Sequence, residues 1–228
     1  RVINKTGHCI ICPDFFYERK RVIMDINYKL YEHLTQMGVA LIYHAQGNTG
    51  VLPGYIKPLK KNIKLVGPAL TVLLPDDDNL ILMKAMSEAK PGDILCIDCG
   101  GRTDVGVWGE LLTLEALRIG IGGVIINGAI SNSEAIIEMG FPVYCRDVSI
   151  RKPRTTGSGN IGIPVQYEKT VIFPGDIVVG DRDGVVVISE DKLQDIYLKG
   201  LELFNEKITQ KSKISNGMST LDAMGLLR

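Results

Sequence analysis

No apolar run in this chain approaches the roughly 20 residues that a membrane-spanning helix needs, so no membrane role is expected. Neither charge is in excess: 26 Lys and Arg balance 26 Asp and Glu. That removes the electrostatic ground for bulk nucleic-acid binding. Aromatics are scarce at 6 %, while 25 glycines put turns and small residues in charge of the fold. Five cysteines are an odd count for a disulfide framework and suit a reducing compartment, so a cytoplasmic location is expected. The opening RVINKTGHCIICPD lacks the apolar core of a signal peptide. A chain beginning at Arg1 is expected to have lost a few initial residues.

What remains is a well-packed globule. Hydrophobic residues make up 45 % of 228, within reach of one domain over residues 1–228. A helical lead-in is expected over 1–37, and a terminal helix and tail over 190–228. Two C-x-x-C pairs, Cys9/Cys12 and Cys96/Cys99, have a spacing that zinc sites use. Cys96 and Cys99, however, lie in or just past a buried strand, ILCID, and have opposite parity on it. They read as small core hydrophobes instead.

In chain order, Phe16, Ile23, Ile26, Leu30 and Leu34 recur at roughly helical spacing up to Gly38. Val39–Ile42 reads as a short buried strand, followed by a polar segment from Tyr43 to Asn48. Residues 65–74 read as a strand pair or a bulged strand, since Gly67-Pro68 demands a bend or an edge. The acids of Pro75-Asp76-Asp77-Asp78-Asn79 tempt a metal reading; a turn and helix N-cap before a helix over 80–89 is the better one. Pro91-Gly92-Asp93 and Pro174-Gly175-Asp176 are the same turn, each opening a hydrophobic strand. Residues 154–159 read as a mobile polar loop, and Arg182-Asp183-Gly184 as a hairpin turn.

The stretch from Gly109 to Val143 organises the rest. Gly109 precedes a helical pattern, so the amides of Glu110, Leu111 and Leu112 are unpaired donors at the positive end of a helix dipole, suited to an anion. The strand Gly123–Ile126 then delivers Asn127-Gly128-Ala129-Ile130-Ser131-Asn132 at its carboxyl end, where α/β sheets place ligands. Arg102 and Asp104 run into the same helix start. His44, in its polar segment, is a candidate base.

With these residues in view, the chain resembles the class II pyruvate aldolases acting on 4-hydroxy-4-methyl-2-oxoglutarate and 4-carboxy-4-hydroxy-2-oxoadipate, a group that includes the RraA ribonuclease regulators. AQGNTG from Ala45, PGDILCID, GELL at Gly109, GGVIINGA at Gly122, GFPVY at Gly140, PGDIVVGDRDGVVVI at Pro174 and the tail MSTLDAMGLLR carry the likeness in order. The resemblance implies an α/β fold of the RraA-like three-layer β/β/α swivelling type, with N-terminal and C-terminal helices. It also implies a homotrimer or hexamer, Mg2+ or Mn2+, a small 2-oxo acid substrate, and oxaloacetate decarboxylation as a side activity. Gly109, Glu110, Leu111 and Leu112 would hold the pyruvate carboxylate, and Glu110 would organise metal-bound water.

The family loop reads Asp-Gly-x-x-Arg-Asp, with its Arg on the oxo acid and its last Asp on the metal. Here Ser131 stands for that Arg, Asn132 for that Asp, and Asn127 for the leading acid. An acid and an Arg are likewise common where His44 and Asn48 stand. A serine hydroxyl does not replace a bidentate guanidinium. An amide oxygen lacks the charge that favours a divalent ion. Three readings are open: an aldolase or decarboxylase with altered substrate, its missing charge supplied by Arg102, Arg146 or Arg154; a different lyase using His44 as base; or a non-catalytic regulatory module. On the first, the catalytic residues are Glu110, Ser131, His44 and Arg102, with Asn132 and Glu110 at the metal.

Overall fold

The computed structural model describes residues 29–74 and 77–226. The chain divides into two compact units, residues 1–33 and 34–228. Of the first, only residues 29–33 are described, and they are helical. Phe16, Ile23 and Ile26, and the Cys9/Cys12 pair, lie outside the described residues. All other described elements belong to the second unit.

Helical residues 34–37 end at Gly38, whose φ of 79° suits glycine. Helix α1, Val39–Ala45, follows, where a strand was expected. Four consecutive apolar residues carry no periodicity that separates the two. The tertiary setting decides: Val39, Ile42 and Ala45 share a buried helical face, and Asp181 Oδ2 accepts the Val39 amide at 3.0 Å. The terminal helix closes on this face at Gly200, where a Cβ would stand 3.0 Å from Met37 Sδ.

Strands β1 (Lys57–Pro58) and β2 (Leu65–Leu73) come next, then helix α2 (Leu80–Glu88), strands β3 (Ile94–Asp98) and β4 (Gly106–Trp108), and helix α3 (Glu110–Ile119). Strands β5 (Gly123–Asn127) and β6 (Ala129–Ile130) lead to helix α4 (Ser133–Met139). Strands β7 (Val143–Cys145), β8 (Asp147–Val148), β9 (Asn160–Ile161), β10 (Val165–Tyr167), β11 (Thr170–Ile172), β12 (Ile177–Gly180) and β13 (Val185–Ile188) precede helices α5 (Leu193–Ser215) and α6 (Thr220–Ala223).

The main sheet has the order β1-β7-β5-β3-β2-β12-β13, with β9 also on β2. Strands β2, β3, β5 and β7 are parallel. β2 is one continuous strand, not a pair. Leu65–Pro68 pairs antiparallel with β12 and Ala69–Leu73 parallel with β3, so the proline falls where the partner changes. A Cβ at Gly67 would come within 2.2 Å of the Gly92 carbonyl, which explains the glycine beside it. Both Pro-Gly-Asp turns behave alike: Asp93 accepts the Lys90 amide and Asp176 the Phe173 amide, each at 2.8 Å.

Alternation along the strands divides the core in two. Leu95, Ile97, Val124 and Ile126 face the helices with Leu82, Leu112 and Ile136. Ile94, Cys96 and Ile125 face the other way, against Tyr167 and Ile172 of the β10-β11 hairpin. Helices on one face and a hairpin on the other make the layers. Cys96 and Cys99 fall in opposite clusters, as their parity implied. Burial pushes the Cys99 thiol up to about 12; among the described residues no group of three metal-ligating side chains forms. The Tyr167 hydroxyl lies 2.7 Å from the Ile97 carbonyl and 3.0 Å from that of Ile125. Tyr167→Phe strips both of their shared donor and is expected to cost about 1–3 kcal/mol in urea unfolding.

Of the acidic run, Asp77 and Asp78 are described; Asn79 stands at the N-cap of α2 without a side-chain cap bond, and Asp78 beside it takes the first helical amide. Asp78 is fully buried and accepts the Leu80 amide at 2.9 Å. Its other oxygen accepts the Thr156 amide and hydroxyl and the Gly157 amide. Arg154 pairs with Asp77. The loop over 154–159, expected to be mobile, is thus tied to the start of α2. The Thr156 hydroxyl foremost, then these amides, holds the Asp78 carboxyl down to about 2 from 3.8 against the opposing effect of burial. The unfolded chain takes up the proton first, so this contribution is whole above about pH 4 and is lost as pH falls through 2. Asp78→Asn is expected to flatten that acid limb and lower the thermal midpoint by roughly 5 °C, measured by calorimetry across pH.

Among the described residues no helix is long and apolar enough to cross a membrane.

Candidate functional site

Strand β4 runs straight into the start of α3. Trp108 is fully buried, stacked on Phe141 with ring centroids 6.3 Å apart. Its Nε1 donates to Thr113 Oγ1 at 2.8 Å. The Thr113 amide and hydroxyl both reach the Gly109 carbonyl, each at 3.0 Å. The indole therefore pins the first turn of α3 from below. The first backbone bond of the helix is Thr113 to Gly109, and no side chain caps it. The amides of Glu110, Leu111 and Leu112 are left as donors, as the sequence predicted. Gly109 is extended, with φ of −162°, so its backbone suits any residue. Space is what demands glycine: a Cβ would stand 2.9 Å from Ser131 Oγ and 3.3 Å from Asn132 Oδ1.

The second half of the site arrives by strand pairing. β6 lies parallel to β4 in a small sheet completed by β8. This hydrogen-bonds the Ser131 amide to the Trp108 carbonyl at 2.8 Å. The Ser131 hydroxyl is 3.3 Å from that carbonyl and 3.3 Å from Asn132 Oδ1. Asn132 is left-handed, with φ of 53°, and stands at the N-cap of α4. Asn tolerates that region at little cost. Gly109–Leu112, Ser131 and Asn132 are thus brought to one place, with Glu110 exposed beside them. The site offers three amides, a hydroxyl and a carboxamide around one helix mouth. That set suits a carboxylate and supplies no fixed positive charge.

The arginines do not restore one. Arg102 pairs with Asp104 at 3.2 Å, and Arg151 meets the same carboxylate at 3.2 Å. Arg154 is taken by Asp77. Arg146 lies over the Tyr55 ring, 4.0 Å from its centroid, and donates to Asn127 Oδ1 at 3.4 Å. His44 is not brought to the site within one chain. It sits on α1, which packs on β13, four strand positions from β5, and its Nδ1 meets Asn48 Oδ1 at 3.0 Å.

Two residues that sequence reasoning passes over, Asp98 and Trp108, matter here. Asp98 and Asn127 end β3 and β5 side by side, and Asn127 Nδ2 donates to Asp98 Oδ1 at 2.8 Å. Asp98 also accepts the Gly100 amide at 2.9 Å. An amide at 127 therefore lets a buried carboxylate keep a donor beside it, where an acid would add a second charge. The signal was a polar residue closing each of two hydrophobic runs. Trp108 is the other omission; only the structure shows that it underlies the helix start.

For a metal, the family positions provide one carboxylate, Glu110, and one amide oxygen, that of Asn132. That set does not suit zinc. A hydrated Mg2+ or Mn2+ keeps several waters and takes one or two carboxylates with the substrate's own oxygens, and Glu110 is the one carboxylate these positions offer it.

Known proteins share the family and the fold. A profile of the family described as Aldolase/RraA matches residues 23–187. A Halalkalibacterium halodurans protein provisionally named a 4-hydroxy-4-methyl-2-oxoglutarate aldolase is 36% identical over 172 residues, 75% of this chain and 82% of its own. A Streptomyces coelicolor structure, described as an unusual member of the RNase ES inhibitor RraA protein family, matches with a TM-score of 0.70 at 26% identity, over 82% of this chain and 98% of that one. An uncharacterised Pseudomonas syringae protein shares the fold, with a TM-score of 0.76 at 23% identity, over 86% of this chain and 97% of that one.

Proposed function

The chain belongs to the Aldolase/RraA family, and on that premise we propose that it is a carbon–carbon lyase releasing pyruvate from a small 4-hydroxy-2-oxo acid. The observation that carries this reading is the helix start at Gly109, its three amides free and glycine required by the closeness of Ser131. The name of the Halalkalibacterium relative points to the same substrate class.

In this reading the amides of Glu110, Leu111 and Leu112 hold the substrate carboxylate. The Ser131 hydroxyl and the Asn132 carboxamide hydrogen-bond the oxo group. Water ordered by the Glu110 carboxylate takes the proton of the C4 hydroxyl. The C3–C4 bond breaks, its electron pair becomes the pyruvate enolate, and a proton returned to C3 gives pyruvate. Oxaloacetate would lose CO2 through the same enolate. Glu110 and Asn132 would hold Mg2+ or Mn2+, which supplies Lewis acidity toward the oxo oxygen. Leu111, Leu114 and Leu117 are exposed along α3, which supports burial of that face in a homotrimer or hexamer, checked by light scattering.

The test is pyruvate release from oxaloacetate and from 4-hydroxy-4-methyl-2-oxoglutarate, with Mg2+ and with Mn2+. Release from either supports the lyase; none with either metal sinks it. One observation favours a second reading, a non-catalytic regulatory module. The Ser131 hydroxyl is engaged with Trp108 and Asn132, so it is not held free for a substrate.

A further inference from the structure

At the end of the loop Gln46–Gly50, Thr49 and Gly50 have spent their carbonyls and kept their amides. The Gln46 carbonyl accepts the Thr49 hydroxyl at 3.0 Å. The Thr49 carbonyl accepts Gln46 Nε2, which also reaches the Val187 carbonyl. The Gly50 carbonyl accepts the Val187 amide at 2.8 Å. Yet the Thr49 and Gly50 amides donate to no described residue. The close approach of the two segments requires glycine here. Gly50 has a φ of +73°, and a Cβ there would meet the Val187 carbonyl and Gln46 Nε2, each at 2.5 Å.

This loop is one wall of a cavity of about 470 Å3, within the range of small-molecule sites. The facing wall is the start of α5 together with its N-cap residue, Lys192. Lys192, Ile196 and Lys199 line it at i, i+4 and i+7, which is one helix face. Ile196 is buried and forms its floor, while both lysines are exposed and neither is in an ion pair among the described residues. Seven residues of helix separate the two ammonium stems by roughly 10 Å along the axis. Ser189 and Thr170 line the space as well, their hydroxyls donating to Asp191 and to the Val51 carbonyl. One carboxylate lines it, Asp176, and that side chain is turned to the Phe173 amide at 2.8 Å. It is buried, and burial moves its pKa upward.

We propose that this cavity, between the Gln46–Gly50 loop and the lysine face of α5, binds a small organic dianion bearing carboxylate or phosphate groups. The loop amides take one anionic end and the two lysines the charge. The site is separate from the helix start at Gly109 and does not depend on the lyase reading.

The test is titration calorimetry on the full chain at low ionic strength, with succinate and with inorganic phosphate as separate probes. Binding of one or both is expected, weakening with salt. Binding of phosphate alone assigns a phosphoryl ligand; binding of succinate, a dicarboxylate. Lys192→Gln with Lys199→Gln, both exposed, is expected to keep the thermal midpoint and weaken binding about tenfold or more. Gly109→Ala, which crowds the other site, is expected to leave it unchanged. The proposal is overturned if neither probe binds, if the double lysine variant binds as the native chain does, or if Gly109→Ala alone abolishes binding.

Discussion

Replacing Ser131 by arginine together with Asn132 by aspartate is expected to raise kcat/KM for pyruvate release about 100-fold. On the lyase reading, the native site would hold the substrate carboxylate with amides, and its oxo group with a hydroxyl and a carboxamide, all uncharged. A bidentate guanidinium adds charge-assisted bonds, and about 2.7 kcal/mol of new transition-state binding corresponds to that factor. The fold should bear the change. Ser131 Oγ already stands at the helix mouth, 2.9 Å from where a Gly109 Cβ would be, so an arginine stem starts in the right place. Asp tolerates the left-handed backbone of position 132 and adds a favourable charge at the start of α4. Ser131→Arg alone should gain less, because its cation would lack the acid that completes the metal donors. Steady-state kinetics on both substrates measures the effect. An unchanged rate in a variant with the native thermal midpoint would favour the regulatory module.

The same residues show how far a sequence carries. The helix at Gly109, the buried strand of β5 and both Pro-Gly-Asp turns were legible, because each is written in local chemistry: a glycine before a helical period, a run of Val and Ile, an acid capping a turn. That Gly109 and the Ser131-Asn132 loop would share one site followed from family likeness, and the strand pairing that joins them is seen only in the structure. Three things were not local. Val39–Ile42 became helix because of what Ala45 packs near, more than 150 residues away at Gly200. The loop over 154–159 is held by Asp78, and nothing in its own residues announces that. The fate of the arginines was open in sequence; the structure commits Arg102, Arg146 and Arg154 to Asp104, Asn127 and Asp77. A charge is easy to find in a sequence, and its partner is not.

Trp108→Ala is expected to cost about 3–5 kcal/mol of stability, the usual range for emptying a buried aromatic site. For a chain of this length that is a fall of roughly 10 °C in thermal midpoint. Three losses combine: the stacking on Phe141, the packing against the helix-side core, and the hydrogen bond from Nε1 to Thr113. Trp108→Phe separates them. It keeps an aromatic ring against Phe141 but leaves Thr113 without its indole donor, for an expected cost of about 1 kcal/mol. Thr113→Val does the reverse and strands a buried N–H, expected to cost about 1–3 kcal/mol. The double variant Trp108→Phe with Thr113→Val removes both partners, so its cost should be less than the sum of the singles. Additive costs would show that the Trp108–Thr113 bond contributes nothing. Because Thr113 also grips the Gly109 carbonyl, the Thr113→Val variant should bind pyruvate more weakly in calorimetry even where it remains folded. Unaltered pyruvate affinity in a folded Thr113→Val chain would mean that the helix start needs no support from beneath.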